Sequence, residues 1–241
     1  MRTLRIAIMI LVALNPGNLS QGVKRYGPQQ KELLETPVAK LELHGASLFE
    51  ALTALRQVNP QRIIFGFEDL DNGTRIDLNL RSATVGEVLS ALRREVPSYR
   101  FEVANTGVIH VRPTGPKPCA QILDVKIAHF AATGRRTLSD VVSHLPAEVA
   151  ELQRTIYPSA AGKIGASVSG GMEPELNFEV SNVTIRGLLD RISLYSIQLS
   201  KKAENRPRLG EASPPISWRY SFTVDTSASN RWGGYPSFSA F

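Results

Sequence analysis

The chain has 241 residues, of which 42% are hydrophobic and 21% charged, an ordinary balance for a globular protein long enough for one large or two small domains. Its formal charge of +6, without a Lys/Arg stripe, reads as solubility and gives no basis for a nucleic-acid or membrane partner. A single cysteine, Cys119, excludes an intrachain disulfide, so stability must come from packing.

The first residues have the parts of a secretory signal in order. Arg2 and Arg5 precede the apolar run Ile6 to Leu14, which Asn15 and Pro16 end. That run falls below the roughly 17 to 25 residues of a membrane-spanning helix, so residues 1–22 are expected to be a cleaved signal peptide and no stable membrane insertion is expected. The location implied is periplasmic or secreted. Residues 23–38 are polar and form an N-terminal extension that leads into the first strand.

From there the pattern is regular. It predicts a strand over 39–44, a helix over 47–58, strands over 62–67 and 74–80, a helix over 84–95, and strands over 99–104 and 107–112. Ser47 and Thr84 stand before the two helices with Glu50 and Glu87 three positions on, the arrangement of a capping box. Leu48, Ala51, Leu52 and Leu55 fall on one helical face, which must cover a sheet. Pro113, Gly115, Pro116 and Pro118 mark a stiff linker over 114–120, the boundary of the first domain.

The second half opens with an alternating strand over 122–130 and a helical TLSDVVSHL segment with Thr137 as cap and Asp140 three on. Pro146 interrupts it, and an insertion over 146–174 runs through a Gly, Ser and Ala-rich loop. A strand and helix follow over 178–192, then a polar loop and a strand over 216–224. Residues 226–241 carry no period and are expected to form a disordered tail.

Three segments repeat one pattern: residues 41–55, 78–92 and 178–192. In register, Ser47, Thr84 and Thr184 fall at the helix starts, Leu52, Leu89 and Leu189 share one helical position, and Leu55, Leu92 and Ile192 follow three on. Such regularity points to duplication of a small strand-helix unit. With the Thr137 segment as a fourth, degenerate copy, four half-units form two domains. The fold class expected is therefore α+β, two small domains of strand-helix-strand repeats with helices packed on small sheets.

Residues 39–113 resemble the short N-terminal domain of secretins and TonB-dependent receptors. Ala46-Ser47, Ala51-Leu52, Leu55, Ala83-Thr84, Val88-Leu89, Leu92, Tyr99, Phe101 and Gly107 to Val111 carry the resemblance. Residues 121–225 look like a second, diverged copy. The resemblance implies a periplasmic docking module of bacterial envelope machines, one that binds an envelope protein partner. It implies no catalytic residue and no cofactor. The channel and receptor regions of that family have no counterpart here, so those activities do not carry over.

Nothing in the residues argues for an enzyme. His44, His110, His129 and His144 include no pair at the i, i+4 spacing of a helical metal site. Glu68, Asp69 and Asp71 read as turn formers. No G-x-S-x-G or S-x-x-K nucleophile motif occurs, and Ser167 and Ser169 have no base nearby in sequence. The GKIG segment at 162–165 has the form of a G-x-x-G clamp on a nucleic-acid backbone, but the small residues and Pro174 after it predict no following helix, so no nucleic-acid partner is expected. The function expected is non-catalytic: a protein-binding or scaffold module of the cell envelope acting through exposed sheet edges. The alternative is an exported hydrolase with its site in the 146–174 insertion. Oligomeric state and the redox state of Cys119 are not legible.

Overall fold

The computed structural model describes residues 26–60, 62–70, 73–115, 118–136, 165–168, 176–204, 218–225 and 233–240. The chain is α+β. The described elements are α1 (Pro28–Leu34), β1 (Pro37–Ala46), α2 (Leu48–Val58), β2 (Phe65–Glu68), β3 (Ile76–Thr84), α3 (Val85–Glu95), β4 (Tyr99–Val103) and β5 (Ile109–Pro113). A 3-10 segment, Pro118–Asp124, leads into β6 (Lys126–Arg136), β7 (Gly165–Val168), β8 (Leu176–Thr184), α4 (Ile185–Glu204), β9 (Trp218–Asp225) and β10 (Gly233–Ala240).

Helices α2 and α3 start where their caps dictate. Ser47 accepts from the Glu50 amide at 3.2 Å while the Glu50 carboxylate takes the Ser47 amide at 2.7 Å. Thr84 and Glu87 repeat the exchange at 3.3 and 2.7 Å. Each box satisfies amides that the first helical turn would leave without partners. Leu48, Leu52 and Leu55 of α2 and Val85, Val88 and Leu92 of α3 are fully buried against Phe65, Phe67, Ile76, Ile109 and Val111. Each such leucine contributes roughly 1.5 to 3 kcal/mol by leaving water.

Strands β1 and β3 form one antiparallel pair and β6 and β8 another. The remaining strands form a single sheet in the order β4-β5-β2-β9-β10-β7. That order is one three-stranded unit written twice. In the first, β4 is antiparallel to β5, which is parallel to β2. In the second, β9 is antiparallel to β10, which is parallel to β7. The units meet where β2 pairs in parallel with β9.

The correspondence between the two halves reaches single residues. Pro37 faces Thr84 and Lys126 faces Thr184; Leu41 faces Leu80 and Phe130 faces Val180; both ladders then slip at a bulge. The amide of Val85 bonds the carbonyl of Thr36 at 2.9 Å, and that of Ile185 bonds Val125 at 3.0 Å. Ser82 and Asn182, two positions before each cap, both take the left-handed backbone, with φ of 52° and 50°. Val85, Val88, Leu89 and Leu92 are buried in α3, as are Ile185, Leu188, Leu189 and Ile192 in α4.

Five expectations need correction. The extension 23–38 contains helix α1, whose Gln30 accepts from the Gly27 amide at 2.7 Å and whose Leu33 is buried in the core. The tail over 226–241 is not wholly irregular, because residues 233–240 form β10, paired along its whole length with β9. Strand β7 lies inside the segment expected to be an insertion and takes the place in the second module that β2 holds in the first. The linker expected over 114–120 runs into the 3-10 segment from Pro118, and the strand expected over 122–130 begins at Lys126. Thr137, Asp140 and His144 lie outside the described residues.

Candidate functional site: the module junction and the sheet edges

Strand β2 is short, and all four of its residues are buried, because it has a neighbour on each side. At its C-terminal end a carboxylate is sealed in: Glu68 is 1% exposed. An isolated buried charge is costly, so it must be paired. Arg186, from the first turn of α4, supplies the pairing in bidentate form, with Nε and Nη2 donating to the two Glu68 oxygens at 2.7 and 3.1 Å. Arg112 of β5 adds a second cation, its Nε 3.2 Å from Glu68 Oε1. Arg186 also donates to Asp124 at the end of the 3-10 segment. Burial alone lowers the affinity of the Arg186 guanidinium for its proton, but its hydrogen bonds and charge pairing with Glu68, then with Asp124, outweigh that and hold it above its ordinary range.

One turn further along α4, Asp190 makes the second crossing. It is 2% exposed, and both its oxygens lie 3.0 Å from His110 Nε2 on β5. Thr106, in the turn between β4 and β5, donates to the same carboxylate at 3.2 Å. Arg186 and Asp190 are i and i+4, so they lie on one face of the helix. That face clasps the first module. Beside it a cleft of about 660 Å³ opens between α1, the β4–β5 turn and α4, with Gln29, Arg62, Asn105, Arg191 and Gln198 among its lining. Arg62 there donates to Glu32 at 2.7 Å.

The acid group read as turn formers therefore divides. Glu68 ends a strand and carries the junction; Asp69 makes the turn, with φ of 49° and its carbonyl accepting from the Tyr99 hydroxyl at 3.0 Å. Asp71 lies outside the described residues. Of the histidines, His44 is exposed 3.3 Å from Glu42, His129 is exposed 3.4 Å from Ser181, and His110 is buried against Asp190. Among the described residues no group of three His, Cys, Asp or Glu is placed to hold a metal ion. Gly165 of the GKIG segment opens strand β7 rather than a helix, and Ser167 lies on that strand.

Among the described residues two strands end the six-stranded sheet, β4 at one side and β7 at the other. In the β4–β5 ladder the amide of Ala104 bonds Val108 and that of Thr114 bonds Ser98, so by alternation Phe101 and Val103 turn their backbone groups away from β5. Gln30 of α1 donates to the Val103 carbonyl at 2.6 Å, which guards one end of the edge.

A sequence signal for the junction existed and is plain in hindsight. Ser98-Tyr99-Arg100-Phe101 and Ser217-Trp218-Arg219-Tyr220 share Ser, aromatic, Arg, aromatic in that order, and Tyr99 and Trp218 begin β4 and β9, the corresponding strands of the two modules. The charged partners carried no such signal, since Glu68 and Arg186 are 118 positions apart and His110 and Asp190 are 80 apart. No helix among the described residues is long and apolar enough to cross a membrane. No family model, no curated protein and no solved structure matches the chain.

Proposed function

We propose that the chain is an exported, non-catalytic binding or scaffold component of the bacterial cell envelope, and that it engages protein partners by adding strands at its sheet edges. The observation that carries this reading is the β2–β9 junction. There the first module already binds a partner strand in parallel register, with Gly66 beside Trp218, Phe67 beside Arg219 and Glu68 beside Tyr220. Main-chain hydrogen bonds supply the affinity in this mode, and side chains around the strand supply selectivity. The resemblance of residues 39–113 to the secretin and TonB-receptor short N-terminal domain adds the envelope location and the docking role. The signal-like residues 1–22 add export.

Affinity capture from a bacterial envelope fraction tests the reading. A protein partner retained by the wild-type chain, and lost when β4 or β7 is blocked, is the expected result. The competing reading is an exported hydrolase acting through residues 146–174, of which 165–168 are now accounted for as the strand β7. Turnover on a hydrolase panel that is abolished by changes in 146–174, with no edge-dependent capture, would install that reading instead.

A further inference from the structure

The junction between the two modules joins a β2-type edge to a β4-type edge, and the chain carries one more of each. Strand β9 corresponds to β4, so the intramolecular contact is β2 with the β4 of the next module. Among the described residues, the strands at the two ends of the sheet are β4 itself and β7, the β2 of the second module. We propose, on the basis of the edge-binding reading above, that the partner of these edges is a second copy of this chain, joined head to tail by β7 of one copy pairing in parallel with β4 of the next.

The register of that contact follows from the internal one. Because Tyr99 and Trp218 correspond, Val103 and Phe222 do as well, and their ladder partners Ile109 and Pro236 follow. One position on, His110 pairs with Gly66 and Ser237 pairs with Gly165. Gly165, Ala166 and Ser167 thus stand where Gly66, Phe67 and Glu68 stand at the junction. Since Gly66 faces Trp218 and Phe67 faces Arg219, Gly165 of one copy is assigned to Tyr99 of the next and Ala166 to Arg100.

The residues that lock the internal junction are replaced at both outer ends together. Arg186 and Asp190 of α4 correspond to Gly86 and Ser90 of α3; Glu68, His110 and Arg112 correspond to Ser167, Ser237 and Ser239. Had only one end lost its charges, docking would bury a charge without a partner, at a cost of several kcal/mol. Here both ends lack them, and Glu35, the counterpart of Asp124, is exposed and 3.7 Å from Lys31, so the contact buries no unpaired member of the lock. The ground around β4 also has room. Gly86, Ser90, Leu34, Tyr26, Phe101 and Val103 border a groove of about 400 Å³ on the side of α3 that, in α4, is turned to the neighbouring module. Phe101 presents its amide and carbonyl outward from the sheet at that groove, as the alternation of the β4–β5 ladder requires.

Such a contact is heterologous: the two surfaces differ, so it builds a ring or an open chain of copies rather than a two-fold dimer. Lacking the charged lock, it is weaker than the internal junction and reversible on dilution.

Cysteine pairing separates this from other arrangements. Neighbouring strands lie about 4.8 Å apart, within the Cα spacing a disulfide spans. In a Cys119→Ser background, one chain carries Arg100→Cys and another Ala166→Cys. The mixture is expected to form disulfide dimers, each chain alone is expected to form few, and a chain with both changes is expected to form a ladder. By sedimentation the untreated chain should rise with concentration to at least about twice its 26.4 kDa. No dimers in the mixture with a mass fixed at one copy, or equal dimers from each chain alone, would overturn the head-to-tail contact. The wider reading is judged separately by envelope capture with Phe101→Pro and, since that change risks the fold, with Arg100→Cys bearing a bulky maleimide. If copies fail to pair but edge-blocking still abolishes capture of an envelope protein, the second copy is wrong and edge binding survives. Copies that do not pair, and capture that ignores both blocks, would remove both.

Discussion

Helices α3 and α4 start from the same frame and do different work. Each follows a strand that turns through a left-handed residue, Ser82 or Asn182, and each begins with a buried β-branched residue, Val85 or Ile185. The next position separates them. In α3 it is Gly86, where a Cβ would lie 3.3 Å from the Leu34 carbonyl oxygen, so α1 packs close. In α4 it is Arg186, which reaches out of its own module to Glu68. Four residues on, Ser90 bonds its own helix at Gly86, whereas Asp190 bonds His110 of the other module. At these two positions α3 makes contacts within its own module, whereas α4 reaches across to the other. The two halves share the apolar face that folds each of them and differ in the charged residues, Arg186 and Asp190 on α4 and Glu68, His110 and Arg112 on the strands, that join them.

The strongest way to break this comparison is to remove the centre of the lock. Glu68→Ala leaves Arg186 and Arg112 beside an apolar site, and taking one partner from a buried pair costs about 3 to 5 kcal/mol. The expected outcome is a large fall in thermal stability, measured by circular dichroism, with the transition splitting if the modules part. Arg186→Ala alone should cost less, because Arg112 still faces Glu68 at 3.2 Å. Combining the two should cost well under the sum, since neither charge is then stranded. Full additivity would show that Glu68 and Arg186 stabilise their modules independently and do not join them.

The difference between these helices was only half legible in the sequence. What repeats is what folds: Leu52, Leu89 and Leu189 mark the helices by period, and Ser47 and Thr84 mark their starts by caps. Helix α2 was expected over 47–58 and runs Leu48–Val58; α3 was expected over 84–95 and runs Val85–Glu95. Elements without a period were missed. Helix α1 has seven residues and joins the fold through Gln30 and Leu33, β7 has four small residues, and β10 contains Gly233, Gly234 and Pro236. For β10, pairing with β9 on one side and β7 on the other supplies what its composition does not. The site was less legible still, because Glu68, Arg112, Asp124 and Arg186 meet only after both modules fold. Read locally, Glu68 beside Asp69 is turn chemistry; its pairing comes from Arg186, 118 positions away in the chain, and its strand neighbour β9 is farther still.

A smaller effect sharpens the comparison at the helix starts. Glu87 completes the capping box of α3, and its counterpart in α4 is Gly187, whose amide bonds Thr184 Oγ1 at 3.1 Å with no carboxylate to answer. The reason is space: a Cβ at Gly187 would come within 2.7 Å of Val183 Cγ2. Gly187→Ala should therefore destabilise, although Ala outranks Gly in helices by about 1 kcal/mol, because crowding a packed site costs about 1 to 3 kcal/mol. A gain in melting temperature would mean that Val183 yields and that α4 lacks a box for no steric reason.

The smallest effect concerns Glu50, whose carboxyl is held below its ordinary value of 4.5 chiefly by the hydrogen bond from the Ser47 amide, then by that from the Ser47 hydroxyl. A depressed carboxyl favours the folded state while ionised, so its contribution is full above the unfolded value of about 4.5 and fades as pH falls through the lower folded value. Glu50→Gln keeps an acceptor of the same shape without the charge. The wild type should melt above the variant at pH 7, and the gap should close as the pH is taken below 4.5. The same substitution has no counterpart in α4, where Gly187 occupies the box position, so the pH-dependent share of helix-start stability belongs to the first module. If the gap between wild type and Glu50→Gln stayed constant from pH 7 to acid, the Ser47–Glu50 contact would be acting by shape alone, and the two modules would differ less at their helix starts than their caps imply.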